Sequence, residues 1–139
     1  MAKIRRIQHV SVPMPPGPES DQKARDFYGK ALGLEEVPPP IDLAPRQLVW
    51  FSVGGRETGD ELHCFAEPGP HPNTPTQHLC FEVDDIEATR QRLTEHGVTI
   101  QSTTDIYNRP RFNITDPFGN LIEITQIVGE YRPAERSAT

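Results

Sequence analysis

TQHLCFEVDD, residues 76–85, decides how the chain is read. On an extended backbone Leu79, Phe81 and Val83 fall on one side and His78, Cys80 and Glu82 on the other, because successive strand side chains point to opposite faces. A strand with one apolar face and one polar face results, and a histidine leads the polar one. The pattern recurs half a chain earlier, where QHVSV at 8–12 echoes QHLCF at 77–81.

The segments downstream of the two copies are also alike. After the first, the Pro-rich PMPPGPES leads to a helix whose apolar stripe is Ala24, Phe27, Tyr28, Ala31 and Leu32, closed by Gly33. After the second, Asp84-Asp85 offers an N-cap, with Glu87 three residues beyond Asp84. The helix behind it carries Ile86, Thr89 and Leu93 on its inner stripe and stops at Gly97. Strand starts then come at Leu34 and Val98. The later strands are LVWFSV (48–53) and ELHCFA (61–66) in the first half, RFNIT (111–115) and LIEITQI (121–127) in the second. The repeating unit is strand, helix, strand, strand, strand, and two such units should pack together because one leaves a sheet face uncovered. The fold class is therefore α+β, with two βαβββ modules.

The expected organisation is one domain over 1–139, with module one at about 5–66, a linker at about 67–75, module two at about 76–127 and a polar tail at 128–139. His71 in the linker reads as a solvated residue. PPPIDLAP (38–45) reads as an irregular connection. Asp116-Pro117-Phe118-Gly119 reads as a type I turn joining the last two strands, with no phosphate-loop character. His96, at a helix end, is explained by the helix dipole.

Composition narrows the partners. The formal net charge of -6 argues against nucleic-acid and anionic-membrane surfaces, leaving a small molecule as the expected partner. Cys64 and Cys80 form no CxxC and read as reduced thiols, which favours the cytoplasm. No apolar run approaches the ~20 residues of a membrane helix, and no targeting segment is read at the N-terminus.

Four strand positions carry a metal-capable residue on the face away from their apolar neighbours. His9 opposes Val10 and Val12, His63 opposes Leu62 and Cys64, His78 opposes Leu79 and Phe81, and Glu123 opposes Ile122 and Ile124. Three imidazoles and a carboxylate suit one divalent transition ion per site, whether Zn, Ni, Co, Mn or Fe(II).

QHVSV, FYGKALGL, ELHCF, QHLCFEVDD and DPFGNLIEI together resemble the landmarks of the vicinal oxygen chelate superfamily, spanning most of residues 5–127. That superfamily includes glyoxalase I, methylmalonyl-CoA epimerase, fosfomycin-resistance enzymes, extradiol dioxygenases and bleomycin-resistance proteins. The resemblance implies a curved mixed sheet around a metal-binding cavity, with His9, His63, His78 and Glu123 as ligands. It also implies a homodimer, with modules paired within one chain or across two. A ligand at His63 is most like the glyoxalase- and epimerase-like members. The implied activity is a metal-dependent isomerase, epimerase or lyase that stabilises an enediolate of a small oxygen-chelating substrate. The alternatives are a ring-cleaving extradiol dioxygenase and a bleomycin-resistance-like binding protein without turnover. Glu82 is the catalytic-base candidate, with Glu35 and Glu36 behind it; Trp50, Tyr107, Arg46, Arg109 and Arg111 are substrate-binding candidates. Trp50 could equally be core, and Cys80 reads by default as a small buried hydrophobe.

Overall fold

A computed structural model describes residues 2–69 and 76–133, so His71 and most of the expected linker lie outside the described residues. The fold is mixed α+β with two small sheets. The chain divides into two compact units, Met1–Gln77 with Asp116–Asn120, and His78–Thr115 with Leu121–Thr139.

In the first unit, strands β1 (His9–Met14), β2 (Glu35–Val37), β3 (Leu48–Val53) and β4 (Asp60–Ala66) form a sheet in the order β1-β4-β3-β2. β1 runs parallel to β4, and β3 is antiparallel to both β4 and β2. The expected apolar positions bury one face: Val12, Met14, Val49, Phe51, Leu62 and Cys64 are core, as are Ala24, Phe27, Tyr28 and Ala31. Helix α1 (Pro18–Ala24) starts inside the Pro-rich stretch, since proline at the first helical position lacks only a donor that would be unpaired there. It continues as a π-helical segment, Arg25–Ala31, where Leu32 N–H reaches Phe27 O at 2.9 Å. The wider turn was not expected from the 3.6-residue stripe; π segments are rare and often lie near functional parts of a fold.

The DPFGN turn belongs to this unit. Asp116, 4% exposed, accepts from the Tyr28 hydroxyl at 2.6 Å, from Phe118 N–H at 2.9 Å, and from Asn120 N–H at 2.8 Å and Nδ2 at 2.7 Å. Asn120 Nδ2 also donates to Pro13 O at 3.2 Å. Gly119, at φ 93, supplies a left-handed conformation that costs other residues steric strain.

In the second unit, β5 (Leu79–Glu82), β6 (Arg111–Thr115) and β7 (Leu121–Thr125) form a sheet in the order β5-β7-β6, with β5 parallel and β6 antiparallel to β7. Phe112, Ile114, Ile122 and Ile124 are buried, as are Ile86 and Leu93 of helix α2 (Ile86–Glu95). Asp85 is the N-cap and accepts from Ala88 N–H at 3.0 Å. The N-cap is thus the second residue of the Asp84-Asp85 pair, and the reciprocal box with Glu87 does not form, because Ala88 holds the third helical position. The strand expected from Val98 is reduced to a single bridge, Gln101 with Asn113.

Candidate functional site

Each sheet has a polar face, and the expected residues lie on those faces. In the first unit His9 pairs in register with Glu61, and His63 pairs with both Ser11 and Trp50. These side chains share one face because their partners share one parity. The Trp50 and His63 rings lie flat on each other, with centroids 3.5 Å apart and planes 6° apart, and His9 stacks on His63 at 4.2 Å. Gln8 ties the cluster down: its Nε2 donates to Gly59 O at 2.8 Å and to Glu61 Oε1 at 3.0 Å. Its Oε1 accepts from His9 Nδ1–H at 2.7 Å. That bond fixes the tautomer of His9 and leaves the lone pair on Nε2. Glu61, absent from the expected site, is the residue that sequence reading missed. The signal was present, since it stands two positions before His63 on the same strand face.

In the second unit Cys80 and Asn113 flank Glu123 in register, and Arg111 lies diagonal to it, opposite Thr125. Glu123 is 3% exposed. Its Oε2 accepts from Arg109 Nη2 at 3.0 Å, and its Oε1 accepts from Arg111 Nη1 at 3.2 Å and lies 3.1 Å from His78 Nε2. Arg109 and Arg111, expected as substrate contacts, thus grip a carboxylate expected as a metal ligand.

The electrostatics arise from these contacts. Burial alone would raise the Glu123 pKa, but Arg111, His78, Cys80 and Arg109 together bring it below the ordinary value of 4.5. Glu61 is likewise lowered: hydrogen bonds from Gln8 and His63 outweigh its burial. Burial and the neighbouring His9 lower the pKa of His63 against the pull of Glu61. At neutral pH His63 is therefore an uncharged ring donating Nε2–H to Glu61 Oε1 at 3.1 Å. Burial pushes the Cys80 thiol up to about 11, so it is uncharged at neutral pH. Cys80 is nevertheless exposed, which corrects its default reading as a buried hydrophobe.

Both lowered carboxylates stabilise the fold above the ordinary Glu value of 4.5 and lose that contribution as pH falls through their folded values. Thermal unfolding measured at successively lower pH will show Tm falling below about pH 4.5, and Glu123→Gln will remove part of that slope.

Among the described residues, three buried polar atoms have no hydrogen-bond partner: Trp50 Nε1, Ser52 Oγ and Asn113 Oδ1. All three residues stand on the polar faces, opposite His63, Glu61 and Glu123 in register. Most buried polar atoms are satisfied, so these three, all on the polar faces, set those faces apart from the rest of the described residues.

The four expected metal ligands are brought together as two pairs, one within each unit. Their donor types suit a borderline divalent ion, but neither pair is held to fit one. An imidazole lone pair lies in its ring plane, so the stacked His9 and His63 rings, tilted by only 21°, aim side by side and not at a common point. Both oxygens of Glu123 are engaged, and an ion there would face two guanidinium charges. Among the described residues, no three His, Cys, Asp or Glu side chains group so as to hold a metal ion.

Of the remaining candidates, Glu82 shares the face of Cys80, opposite Thr125, and Glu35 shares the face of Ser52 and Glu61. Arg46 and Tyr107 are exposed, and Glu82 is exposed at the end of β5. Glu35 and Glu36 are paired with Arg56 at 2.8 Å and Arg25 at 2.6 Å. His96 Nδ1–H donates to Arg92 O at 2.9 Å at the helix C-terminus. No helix among the described residues is long and apolar enough to cross a membrane.

Two sheet units of this topology, each with histidine and carboxylate on the face its core leaves open, define a glyoxalase-type α+β fold. The sequence profile of the Glyoxalase/Bleomycin resistance protein/Dioxygenase superfamily matches residues 18–124, and the chain belongs to that superfamily. It is similar to a glyoxalase family protein from Bacillus anthracis, 33% identical with a TM-score of 0.81, covering 91% of this chain and 98% of that one. It is also similar to the mitochondrial methylmalonyl-CoA epimerase of Dictyostelium discoideum, 28% identical over 109 residues. That match covers 73% of this chain and 63% of the relative, so the chain spans less than two thirds of that protein. The ethylmalonyl-CoA/methylmalonyl-CoA epimerase of Cereibacter sphaeroides is 25% identical over 104 residues, covering 70% of this chain and 75% of that protein. Superfamily members bind small molecules, typically use divalent metals and often act as dimers.

Proposed function

We propose that the protein is an enzyme of the glyoxalase type, an isomerase, epimerase or lyase that moves a proton at the carbon beside a carbonyl of a small, oxygen-rich substrate. The observation that carries this is the hydrogen-bonded cluster of His9, Gln8, Glu61 and His63. Gln8 holds the Nδ1 proton of His9, so Nε2 is the nitrogen able to accept a proton. Glu61, kept ionised by hydrogen bonds from Gln8 and His63, stands opposite His9 in register across β1 and β4. A histidine whose one ring nitrogen is held by a hydrogen-bond acceptor while the other keeps its lone pair is a recurring arrangement for general-base catalysis; here the acceptor is the Gln8 amide oxygen. The names of the two epimerase relatives support a substrate in which a carbon between two carbonyls gives up its proton.

The test is turnover on a panel of substituted malonyl thioesters, dicarbonyl-thiol adducts and 2-hydroxyketones. It is run with chelator and again with Zn, Ni, Co, Mn or Fe(II) added. Turnover in the presence of chelator, lost in His9→Gln with the Tm unchanged, is the expected result. Absence of turnover under every condition overturns the proposal. Catechol-dependent oxygen uptake under Fe(II) would assign the dioxygenase alternative instead.

A binding protein without turnover is favoured by one observation, the Trp50 ring laid flat at 3.5 Å on His63, a surface on which a planar ligand could extend the stack. Trp50 is the single tryptophan, so its fluorescence reads that face directly. Saturable quenching by a planar aromatic compound without any product would establish this second reading.

A further inference from the structure

We infer that Arg109 and Arg111, held over Glu123, form a subsite for an anionic oxygen group, a carboxylate in the first instance, and that Glu123 is their counter-ion and positioning residue. The inference deepens the proposed function by naming the substrate class, and it rests on that reading only in calling the bound anion part of a substrate.

The charges around Glu123 do not balance. Among the described residues neither guanidinium meets a carboxylate other than Glu123. Two guanidinium groups against one carboxylate leave an excess of one positive charge. This excess stands out in a chain whose formal net charge is -6. One arginine would have sufficed to neutralise Glu123, so the second has charge to offer elsewhere.

Both guanidinium groups are also held in place. Arg109 is fixed by Nε to Thr125 Oγ1 at 3.3 Å and by its guanidinium carbon over the Tyr131 ring at 5.1 Å. Arg111 is fixed by Nε to Thr104 O at 3.0 Å. Each then spends one terminal nitrogen on Glu123, Nη2 of Arg109 and Nη1 of Arg111. The other terminal nitrogen of each has no hydrogen-bond partner among the described residues. Both side chains remain reachable, at 23% and 18% exposure. Planar, pre-oriented guanidinium donors are the groups best matched to a carboxylate, and preorganisation spares the entropy of arranging them on binding. The same facts explain why Glu123 is poorly placed to hold a cation.

The test is an NMR titration of the arginine Nε–H resonances with malonate, and with malonamide as the uncharged control, on the full chain. Saturable shifts of Arg109 and Arg111 with malonate, weakened by salt and absent with malonamide, are expected. Arg111→Gln should weaken malonate binding at least tenfold, with Arg111→Lys falling between. An absence of saturable shifts, or an equal response to malonamide, overturns the inference. So does selective broadening of Glu123 and His78 by Co(II) that releases the two arginines. Malonate binding with no turnover on the substrate panel would uphold the subsite while defeating the proposed enzymatic function, so the two failures are distinguishable.

Discussion

Asp116→Ala will lower the melting temperature by roughly 6–12 °C, the largest loss expected from any single substitution at a polar residue of this fold. Asp116 accepts from the Tyr28 hydroxyl, from Phe118 N–H and from both nitrogens of Asn120, and it is 4% exposed. Alanine leaves the Tyr28 hydroxyl unsatisfied in a fully buried side chain, and it removes the acceptor that shapes the turn. An orphaned buried donor costs about 1–3 kcal/mol, and with the turn bonds the total is on the order of 3 kcal/mol. Tyr28→Phe, which removes the donor and leaves the turn bonds intact, should cost only about 1 kcal/mol. Chemical denaturation of both variants and of the double variant measures the coupling directly. Additive losses would show that the Tyr28–Asp116 bond contributes nothing of its own.

Glu123→Gln will have two effects of opposite sign. Stability should fall by about 1–3 kcal/mol, because two arginines lose their shared counter-ion; their partial exposure keeps the loss below that of a fully buried pair. Anion affinity should rise, because glutamine keeps an oxygen that can still accept from the arginines and hold them in place, while a bound anion no longer meets the negative charge of Glu123. Tm and malonate affinity measured on the same preparation check both. A metal-ligand role for Glu123 predicts the reverse, a loss of bound ion and of every function that depends on it.

Much of this was legible in the sequence because it depends on local periodicity. The alternation in QHVSV and QHLCF placed β1 and β5, the apolar stripes placed both helices, and Asp116-Pro117-Phe118-Gly119 announced its turn. What was not legible depends on register and on competition between neighbours. The π-helical segment Arg25–Ala31 keeps the expected buried residues while altering the hydrogen bonds beneath them, which a pattern of side chains does not report. The strand after Gly97 dwindled to one bridge, since an apolar start at Val98 does not by itself provide a pairing partner. Arg111 meets Glu123 only because β6 and β7 pair Asn113 with Glu123, setting the arginine on the diagonal. His63 stood on the expected face, but its contacts to Glu61, Trp50 and His9 give it an aromatic and hydrogen-bonding environment that parity alone does not specify.

Whether the protein takes a proton from carbon is read by α-proton wash-out: the protein is incubated in D2O with each member of the substrate panel, with and without chelator, and loss of the proton beside the carbonyl is followed by NMR. Proton removal precedes isomerisation, epimerisation and elimination alike, so this reads the shared step without requiring the final product. The result expected is catalytic exchange for at least one carboxylate-bearing substrate, retained in chelator and lost in His9→Gln. No exchange above the protein-free rate for any substrate, with or without added metal, would contradict it.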